Sequence, residues 1–388
     1  MTTVPQPRPR RLRLWAVGLT LLLAACAEDA PQDTFEPAGD YAQDIDGLTW
    51  VFYVAGAVGL LVFGAIVFIV LRYRVRKGHE DEVPRQIHGH PRLEIMWTVA
   101  PAVLLAAVAV PTITTLFDIT EDPGDNALEI TVVGQQWWWE FEYPGLGEGG
   151  RAIVTSGEMV IPAGQKVKLN LTSRDVIHSF WIPRLNGKRD AVPGRVHPLG
   201  MQADEPGTYW GQCAEFCGLS HADMRMRVVA LSEADWDAWV ENQRQPAASP
   251  DDELALAGEA SFAARCAQCH VVNGLVNADG EPVLPTDIPL VSGVAPDLTH
   301  FMSRATFAGG VYDLSLPDCE ATPAGPTGTA VECLNRTDLE AWLRNPEDLK
   351  PMAPDPTQYS GTKGRGMPNL NLTELQIDEL VAYLSTLD

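Results

Sequence analysis

Two long stretches of the chain contain no charged residue. Residues 48–71 form 24 consecutive uncharged positions, and residues 95–117 form another 23. At about 1.5 Å per residue, either stretch is long enough to cross the hydrocarbon core of a bilayer as a helix. The sequence between them, residues 72–94, carries six Lys or Arg, and short cationic loops remain in the cytoplasm. The pattern predicts a transmembrane helical hairpin, with everything from about Asp118 onward exported.

The N-terminus is a third apolar stretch with a different layout. Four arginines precede residues 14–23, which are too few to span a membrane, and Leu-Ala-Ala-Cys follows. A basic region, a short apolar run and small residues are typical of a secretory signal, here over residues 1–25. The Cys26 context resembles a bacterial lipobox, in which that cysteine is acylated. We expect lipidation and a short exported segment over residues 26–47; the alternative is an uncleaved anchor in which Cys26 is idle.

The exported sequence changes its periodicity once. Residues 118–244 consist of short alternating runs broken by Gly and Pro, which predict an all-β sandwich or Greek-key barrel, followed by one helical stretch. Residues 245–252 are rich in Pro, Ala, Ser and acid, as linkers are. Residues 253–388 show apolar positions three and four apart, which predict a helical domain. The chain is therefore a multi-domain membrane protein.

The length and the net charge of the chain limit how many domains it has and which partners it could bind. With 388 residues, the chain exceeds what one hydrophobic core normally supports. Its formal net charge of −23 argues against nucleic-acid binding, which needs a basic surface. We therefore expect membrane lipid and other proteins as partners, and no nucleic acid.

The helical segment contains the attachment signature of a c-type haem. Cys266 and Cys269 flank two residues and His270 follows at once, so two thiols could join the haem vinyl groups while the imidazole ligates iron. A thioether is the usual second axial ligand in electron transfer, and we favour Met367, in Gly-Arg-Gly-Met-Pro, over Met352. Met302 is a further candidate for this role. Cys319 and Cys333 are expected to form a local disulfide in an oxidising compartment.

A second cluster combines sulfur and nitrogen ligands within twelve residues. Cys213, Cys217, His221 and Met224 lie in one short segment, and His178 offers a second imidazole. Soft sulfur with imidazole on a β scaffold is typical of copper sites. Two cysteines could bridge two copper ions, with the Glu215 carbonyl and the Met224 thioether as weak ligands. The alternatives are a disulfide or a zinc site.

These motifs together resemble a known family. The helical hairpin and the segments GQQWWWEFEYP, RDVIHSFWIP and CAEFCGLSHADM are similar to subunit II of haem-copper cytochrome c oxidases over residues 48 to 240. The haem signature resembles variants with a fused cytochrome c, the caa type. The resemblance implies a cupredoxin-like Greek-key barrel, an all-α cytochrome c domain and a dinuclear copper A centre. Its ligands would be these six residues: His178, Cys213, Glu215, Cys217, His221 and Met224.

The resemblance also implies roles for single residues. Trp137 would be an exposed aromatic through which electrons enter, and Asp175 a carboxylate near the copper. Glu215 would also face a magnesium ion shared with the catalytic subunit. Glu94 would lie at the cytoplasmic mouth of a proton pathway, although an acid at a helix N-terminus is also ordinary dipole complementation.

The implied activity belongs to a complex. Electrons from cytochrome c or a cytochrome bc complex would reach haem c, then copper, then a haem-copper subunit I that reduces oxygen to water with proton pumping. The complex would lie in the bacterial inner membrane, with the copper and haem domains on its outer face. A quinol oxidase subunit II is disfavoured because all the copper ligands are present. An electron-transfer or copper-delivery protein outside any terminal oxidase remains the alternative.

The sequence also suggests how the two exported domains meet. Residues 118–250 and 251–388 are both net acidic and are joined by a short linker. A tether gives a high effective concentration without electrostatic attraction. We expect a brief and largely apolar contact between the domains.

Overall fold

The membrane hairpin is the first element of the computed structural model. The structure describes residues 32–75, 78, 83, 86, 88–275, 295–316, 331–353 and 364–388, so Cys26, Cys319 and the signal peptide lie outside the described residues. A short helix α1, Asp40–Asp46, precedes α2, Trp50–Tyr73, and α3, Pro91–Thr120. Both long helices are apolar enough to cross a membrane, and neither buries a residue against the rest of the chain. Their apolar surface therefore faces lipid or other subunits.

The exported β domain is a sandwich of two five-stranded sheets. Its strands are β1 Leu128–Gln135, β2 Trp138–Tyr143, β3 Ile153–Ser156, β4 Glu158–Pro162, β5 Val167–Ser173, β6 His178–Trp181, β7 Arg189–Ala191, β8 His197–Met201, β9 Gly207–Cys213 and β10 Arg225–Leu231. One sheet has the order β3-β2-β1-β5-β8 and the other β4-β10-β9-β6-β7. Most neighbours are antiparallel, but β1 with β5 and β4 with β10 are parallel. The predicted cupredoxin-like β domain is confirmed.

The sandwich core explains the alternation in the sequence. Along β5 every second residue is buried, from Val167 to Ser173. Aromatic side chains fill the centre, where Trp139 packs edge-on against Phe180 with ring centroids 5.4 Å apart. Helix α4, Glu233–Arg244, closes the domain, and its Trp239 packs on Tyr143 at 5.3 Å. Burying such large aromatic rings supplies much of the stability of a core.

The tail is helical, as predicted, with one small addition. Its elements are α5 Glu253–Arg265, β11 Thr306–Phe307, β12 Tyr312–Asp313, α6 Arg336–Arg344, α7 Pro346–Leu349 and α8 Glu374–Leu384. Strands β11 and β12 form the additional two-stranded ribbon. Helix α8 begins with a capping box between Thr373 and Gln376, which fixes its N-terminus. Helices α5 and α8 approach closely at Gly258, where a Cβ would lie only 2.0 Å from the Glu379 carbonyl oxygen. Only glycine permits this crossing.

The tail packs firmly on the β domain, so the predicted brief and apolar contact is wrong. Glu158 on β4 is buried and accepts hydrogen bonds from the backbone N–H groups of Ala305 and Thr306, at 2.8 and 2.7 Å. Arg227 on β10 balances its charge at 2.7 Å. Further polar contacts join Arg304 to Ser156, Arg225 to Gly309, Gln243 to Ser303 and Arg365 to Asp175. Similar net charges did not prevent this docking, because the contacts are local pairs of donors and acceptors.

Candidate metal centre and haem cavity

The sulfur and nitrogen ligands converge where two strands of one sheet end. Cys213 is the last residue of β9, and Met224 directly precedes β10. The backbone N–H of Cys213 donates to the Met224 carbonyl at 2.9 Å, so the intervening loop closes on itself. His178 begins β6, which pairs with β9 in the same sheet. The loop residues and this third strand therefore border one region at the end of the sheet.

The ligand atoms lie in contact with one another. The sulfurs of Cys213 and Cys217 are 3.8 Å apart, and both thiols are free. This distance excludes a disulfide in this structure, since an S–S bond is about 2.05 Å. His178 Nδ1 lies 3.9 Å from the Cys213 sulfur, and His221 Nδ1 lies 3.7 Å from the Cys217 sulfur. Each sulfur thus has its own imidazole.

Two weaker donors complete the set. Met224 Sδ lies 3.8 Å from the Cys217 sulfur, and the backbone carbonyl oxygen of Glu215 lies 3.3 Å from the Cys213 sulfur. The Glu215 residue is exposed and only its carbonyl reaches the centre. Soft sulfur, imidazole and one carbonyl form a donor set that fits copper. The chemistry of these residues therefore matches the metal that the motif predicts.

Asp175 orients the first imidazole from outside the centre. Its carboxylate lies 2.8 Å from His178 Nε2, which leaves Nδ1 directed at the cysteines. Both side chains are buried. Burial alone would lower the pKa of His178, but hydrogen bonds with Asp175 and Cys213 outweigh it and raise that pKa. A carboxylate behind a ligating histidine fixes ring orientation and tautomer in metal sites generally.

The interaction between the two thiols favours one thiolate in the pair. A hydrogen bond from Cys217 lowers the pKa of Cys213 to about 3, although burial opposes the charged form. The same interaction raises the pKa of Cys217. Because the thiolate is the form that ligates metal, the low pKa of Cys213 favours binding of a soft metal cation by this pair of cysteines.

A cavity between the tail and the β domain contains the haem signature. Cys266, Cys269 and His270 line it, and it encloses about 1540 Å³ of space between protein atoms, including its open mouth. Neither cysteine is disulfide-bonded among the described residues. His270 Nδ1 hydrogen-bonds the Pro296 carbonyl oxygen at 2.8 Å, which leaves Nε2 for a ligand. Burial lowers the pKa of His270, so the imidazole stays neutral, as iron ligation requires. These residues fit a covalently attached haem.

Two methionines line the same cavity. Met367 is half-buried and packs against the cores of both exported domains, whereas Met352 is buried against the copper-domain core. A Cβ added at Gly366 would lie 2.5 Å from the Met352 sulfur, so the two methionines are neighbours across this glycine. Met302 is also buried, in the core of the tail, and does not line the cavity among the described residues.

Trp137 lies between the cavity and the metal centre, but it is not exposed. The expectation of an exposed side chain is wrong, because Trp137 is only 4% accessible under the docked tail. Its ring lines the cavity, and its indole Nε1 donates to the Cys217 carbonyl oxygen at 3.1 Å. The neighbouring Gln136 side chain donates to the same carbonyl at 2.6 Å. Trp138 also lines the cavity, and Trp139 belongs to the sandwich core.

The other predicted residues lie apart from both sites. Glu94 is in the exposed first turn of α3, where it complements the helix dipole. Cys333 is disulfide-bonded, while Cys319 lies outside the described residues. Among the described residues, the Glu215 carboxylate belongs to no cluster of side chains that could hold a magnesium ion.

Sequence reasoning missed a buried lysine at the domain interface. The Lys350 ammonium donates to the carbonyl oxygens of Trp137 and Ala308, each at 2.8 Å. Burial lowers the pKa of Lys350 to about 7, although Asp223 opposes the shift. Its partners are backbone atoms more than 40 residues away, so nothing in the local sequence identifies it. Glu158 could have been suspected of a buried role, because it is the single acidic residue in the strand Glu-Met-Val-Ile-Pro.

The fold and the site together define a membrane-anchored cupredoxin-like protein with a buried cluster of sulfur and nitrogen ligands that could hold a soft metal. Comparison with known proteins specifies the family. Residues 128–231 match the model described as "Cytochrome C oxidase subunit II, periplasmic domain", and residues 32–115 match its transmembrane domain.

Similar proteins extend the match to the tail. Cytochrome c oxidase subunit 2 of Alkalihalophilus pseudofirmus is 36% identical, with 95% of this chain and 94% of that protein covered. The same subunit of Bacillus sp. PS3 is 34% identical, with 95% of each chain covered. Quinol oxidase subunit 2 of Bacillus anthracis is 31% identical, over 60% of this chain and 80% of that protein. The chain belongs to the cytochrome c oxidase subunit II family, and is thus a subunit of a haem-copper oxidoreductase complex with an outer-face domain.

Proposed function

We propose that this chain is subunit II of a caa-type cytochrome c oxidase in a bacterial inner membrane. When bound, a dinuclear copper A centre and a covalent haem c would supply one-electron carriers between a cytochrome c or cytochrome bc donor and the oxygen-reducing subunit I. The chain itself would bind and orient these carriers and exclude water from them. Oxygen reduction and proton pumping would take place in the partner subunits.

One observation carries the copper assignment. The sulfurs of Cys213 and Cys217 lie side by side, and each has an imidazole on its own side, from His178 and His221. The ligand atoms of His178, Cys213 and Cys217 lie within 4.8 Å of one another, and His221 is not a member of this compact group. A single tetrahedral zinc would need all four ligands around one point. Two ions that share both sulfurs fit the arrangement better, with Met224 and the Glu215 carbonyl as the weak ligands.

The haem assignment rests on the cavity. Cys266 and Cys269 would form the thioether bonds, and His270 would ligate iron through Nε2 while the Pro296 carbonyl fixes its ring. Met367 is the proposed second axial ligand, and Met352 the alternative. Thioether ligation and burial of the site would both raise the haem potential.

The remaining assignments come from the family resemblance. We propose that Glu215 also contributes to a magnesium site shared with subunit I. Glu94 would lie at the entrance of a proton pathway, and Cys26 would carry a lipid. Residues 245–252 would link the copper and cytochrome domains. Trp137 would carry electrons from the haem cavity to the copper centre.

Metal and haem analysis of the purified chain tests this function. We expect two copper atoms and one covalently attached haem per chain, with copper lost in Cys217→Ser and haem lost in Cys266→Ala. A copper-delivery protein outside an oxidase would bind copper but would not co-purify with a haem-copper subunit I. One zinc per chain, or no covalent haem, would contradict the proposal.

A further inference from the structure

A buried lysine of the tail contacts the tryptophan that lies between the haem cavity and the metal centre. Lys350 is only 3% accessible and lines the same cavity as Trp137. Its side-chain nitrogen donates to the carbonyl oxygens of Trp137 and Ala308, each at 2.8 Å. Trp137 belongs to the β domain and Ala308 to the tail, so this one nitrogen joins the two domains at the tryptophan.

Gly309 leaves the space that this contact needs. A Cβ at Gly309 would lie 2.6 Å from the Lys350 side-chain nitrogen and 2.7 Å from the Trp137 carbonyl oxygen. The φ angle of Gly309 is +76°, which residues with a Cβ rarely adopt. Its carbonyl oxygen accepts from the Arg225 backbone N–H at 3.0 Å, so this turn of the tail is held on the β domain. The lysine and the tryptophan therefore meet at a position that only glycine fits.

Lys350 can donate to both carbonyl groups in either protonation state. Burial lowers the pKa of Lys350, whereas the charges of Asp223 and Cys217 raise it and that of Arg225 lowers it. An ammonium group has three N–H donors and a neutral amine has two, and the two carbonyl oxygens need only two. The contact with Trp137 therefore does not depend on the charge of the lysine.

The tail segment that bears Lys350 also contacts the loop of metal ligands. Trp137 Nε1 donates to the Cys217 carbonyl oxygen at 3.1 Å, and the buried Ser220 hydroxyl of the same loop donates to the Pro351 carbonyl oxygen. Trp137 is thus bound at its backbone by the tail and at its indole by the loop. Two such contacts restrict where the indole ring can lie.

We propose that Lys350 is a positioning residue for Trp137. By binding the Trp137 carbonyl oxygen from the tail, Lys350 holds the indole against Cys217 and supports electron transfer from haem to copper. Lys350 has this role only if Trp137 carries electrons, as the proposed function requires. The tail then does more than bind haem, because it also fixes the residue through which its electrons leave.

A double-mutant cycle in the full-length protein tests this role. Lys350→Met removes the donor but keeps a side chain of similar length, so the Trp137 carbonyl loses its partner and the indole is less firmly held. Flash-induced transfer from haem to copper should slow at least about threefold, within the range in which contacting residues couple. In the Trp137→Ala background, Lys350→Met should have almost no further effect. A lysine that served only tail docking, or acted only through its charge, would slow transfer equally in both backgrounds.

The indole N–H signal of Trp137 gives a second readout that does not involve electron transfer. It can be recorded in ¹⁵N–¹H spectra of the fully reduced full-length protein, which avoids paramagnetic broadening, and identified by its absence from Trp137→Ala. In Lys350→Met the proton signal should move upfield, because the hydrogen bond to Cys217 weakens. If Lys350→Met does not accumulate, Lys350→Gln keeps a donor on a shorter side chain, and the same two changes are expected.

Gln243→Leu is the matched control. Gln243 donates to Ser303 at 3.3 Å across the same domain interface and is not among the residues that line the cavity in the described structure. Its replacement removes one hydrogen bond between the domains without removing the donor to Trp137. Both the transfer rate and the Trp137 signal should keep their parent values.

The outcomes separate the role of Lys350 from that of Trp137. An unchanged Trp137 signal in the Lys350 variants, a parent-like rate in them, or equal slowing in both backgrounds would overturn the role of Lys350 alone. A parent-like rate in Trp137→Ala would overturn the electron-carrying role of Trp137, and the role of Lys350 with it.

Discussion

The indole of Trp137 donates a 3.1 Å hydrogen bond to the backbone carbonyl of Cys217. The same ring lines the cavity that contains Cys266, Cys269 and His270. One buried side chain therefore contacts both the haem cavity and the loop that bears the metal ligands. The tail also contacts this residue directly, because the Lys350 ammonium donates to the Trp137 carbonyl oxygen at 2.8 Å.

Replacing Trp137 should slow electron transfer from haem to copper. In Trp137→Ala the hydrogen bond to Cys217 and the polarizable ring are lost, and flash-induced transfer should slow at least tenfold, while copper content and the copper spectrum are retained. Trp236→Ala is the control, because Trp236 stacks on Trp239 away from the cavity, with ring centroids 5.1 Å apart. A parent-like rate in Trp137→Ala would show that electrons enter by another route.

The two methionines beside the cavity should behave differently. Met367→Ala should abolish the sulfur-to-iron charge-transfer band of ferric haem and lower the haem potential, because thioether ligation raises the potential. Met352→Ala should retain the band, since Met352 packs in the copper-domain core. Optical spectra of the two variants measure this, and the reverse result would make Met352 the ligand.

Glu158 should be essential for docking of the tail. Its carboxylate pairs with Arg227 and accepts from the Ala305 and Thr306 backbone, all in a buried position. Breaking a buried ion pair from one side costs about 3–5 kcal/mol. We expect that loss in the free energy of unfolding of the exported region in Glu158→Gln, measured by denaturant titration. Glu148→Gln removes only an exposed pair with Arg151 and should cost under about 1 kcal/mol.

Stability of the exported region should depend on the protonation of Glu140. Burial raises the pKa of Glu140 from 4.5 to about 7, against the favourable effect of Arg174, and Glu142 and Asp297 raise it further. A raised folded-state pKa gives stability that is present below pH 4.5 and is lost as the pH rises to about 7. In Glu140→Gln the unfolding free energy should therefore change less over this range. An identical pH profile in the variant would contradict the assigned shift.

Local patterns in the sequence predicted the membrane hairpin, the β domain and both ligand clusters. The uncharged runs, the alternation and the CxxCH spacing each depend on neighbours within a few residues, so the chain alone reveals them. The predicted span over residues 95–117 is longer in the structure, where α3 covers Pro91–Thr120. The backbone hydrogen bonds of this helix continue beyond the uncharged stretch into the polar residues on both sides of it.

Contacts between distant residues could not be predicted in the same way. The hydrogen bonds from Lys350 to Trp137 and from Thr306 to Glu158 join residues of the β domain to residues of the tail that are more than 140 positions away in the sequence. Net charge suggested weak docking, but single buried donors and acceptors determine the interface. Such pairs have no fixed sequence spacing, and only the three-dimensional structure brings them together.

The electron paramagnetic resonance spectrum of the oxidised, copper-loaded protein tests the central claim most directly. Two copper ions that share the sulfurs of Cys213 and Cys217 would share one unpaired electron equally. The account predicts a seven-line copper hyperfine pattern that disappears in Cys217→Ser. A four-line mononuclear pattern at full copper loading would contradict the dinuclear centre.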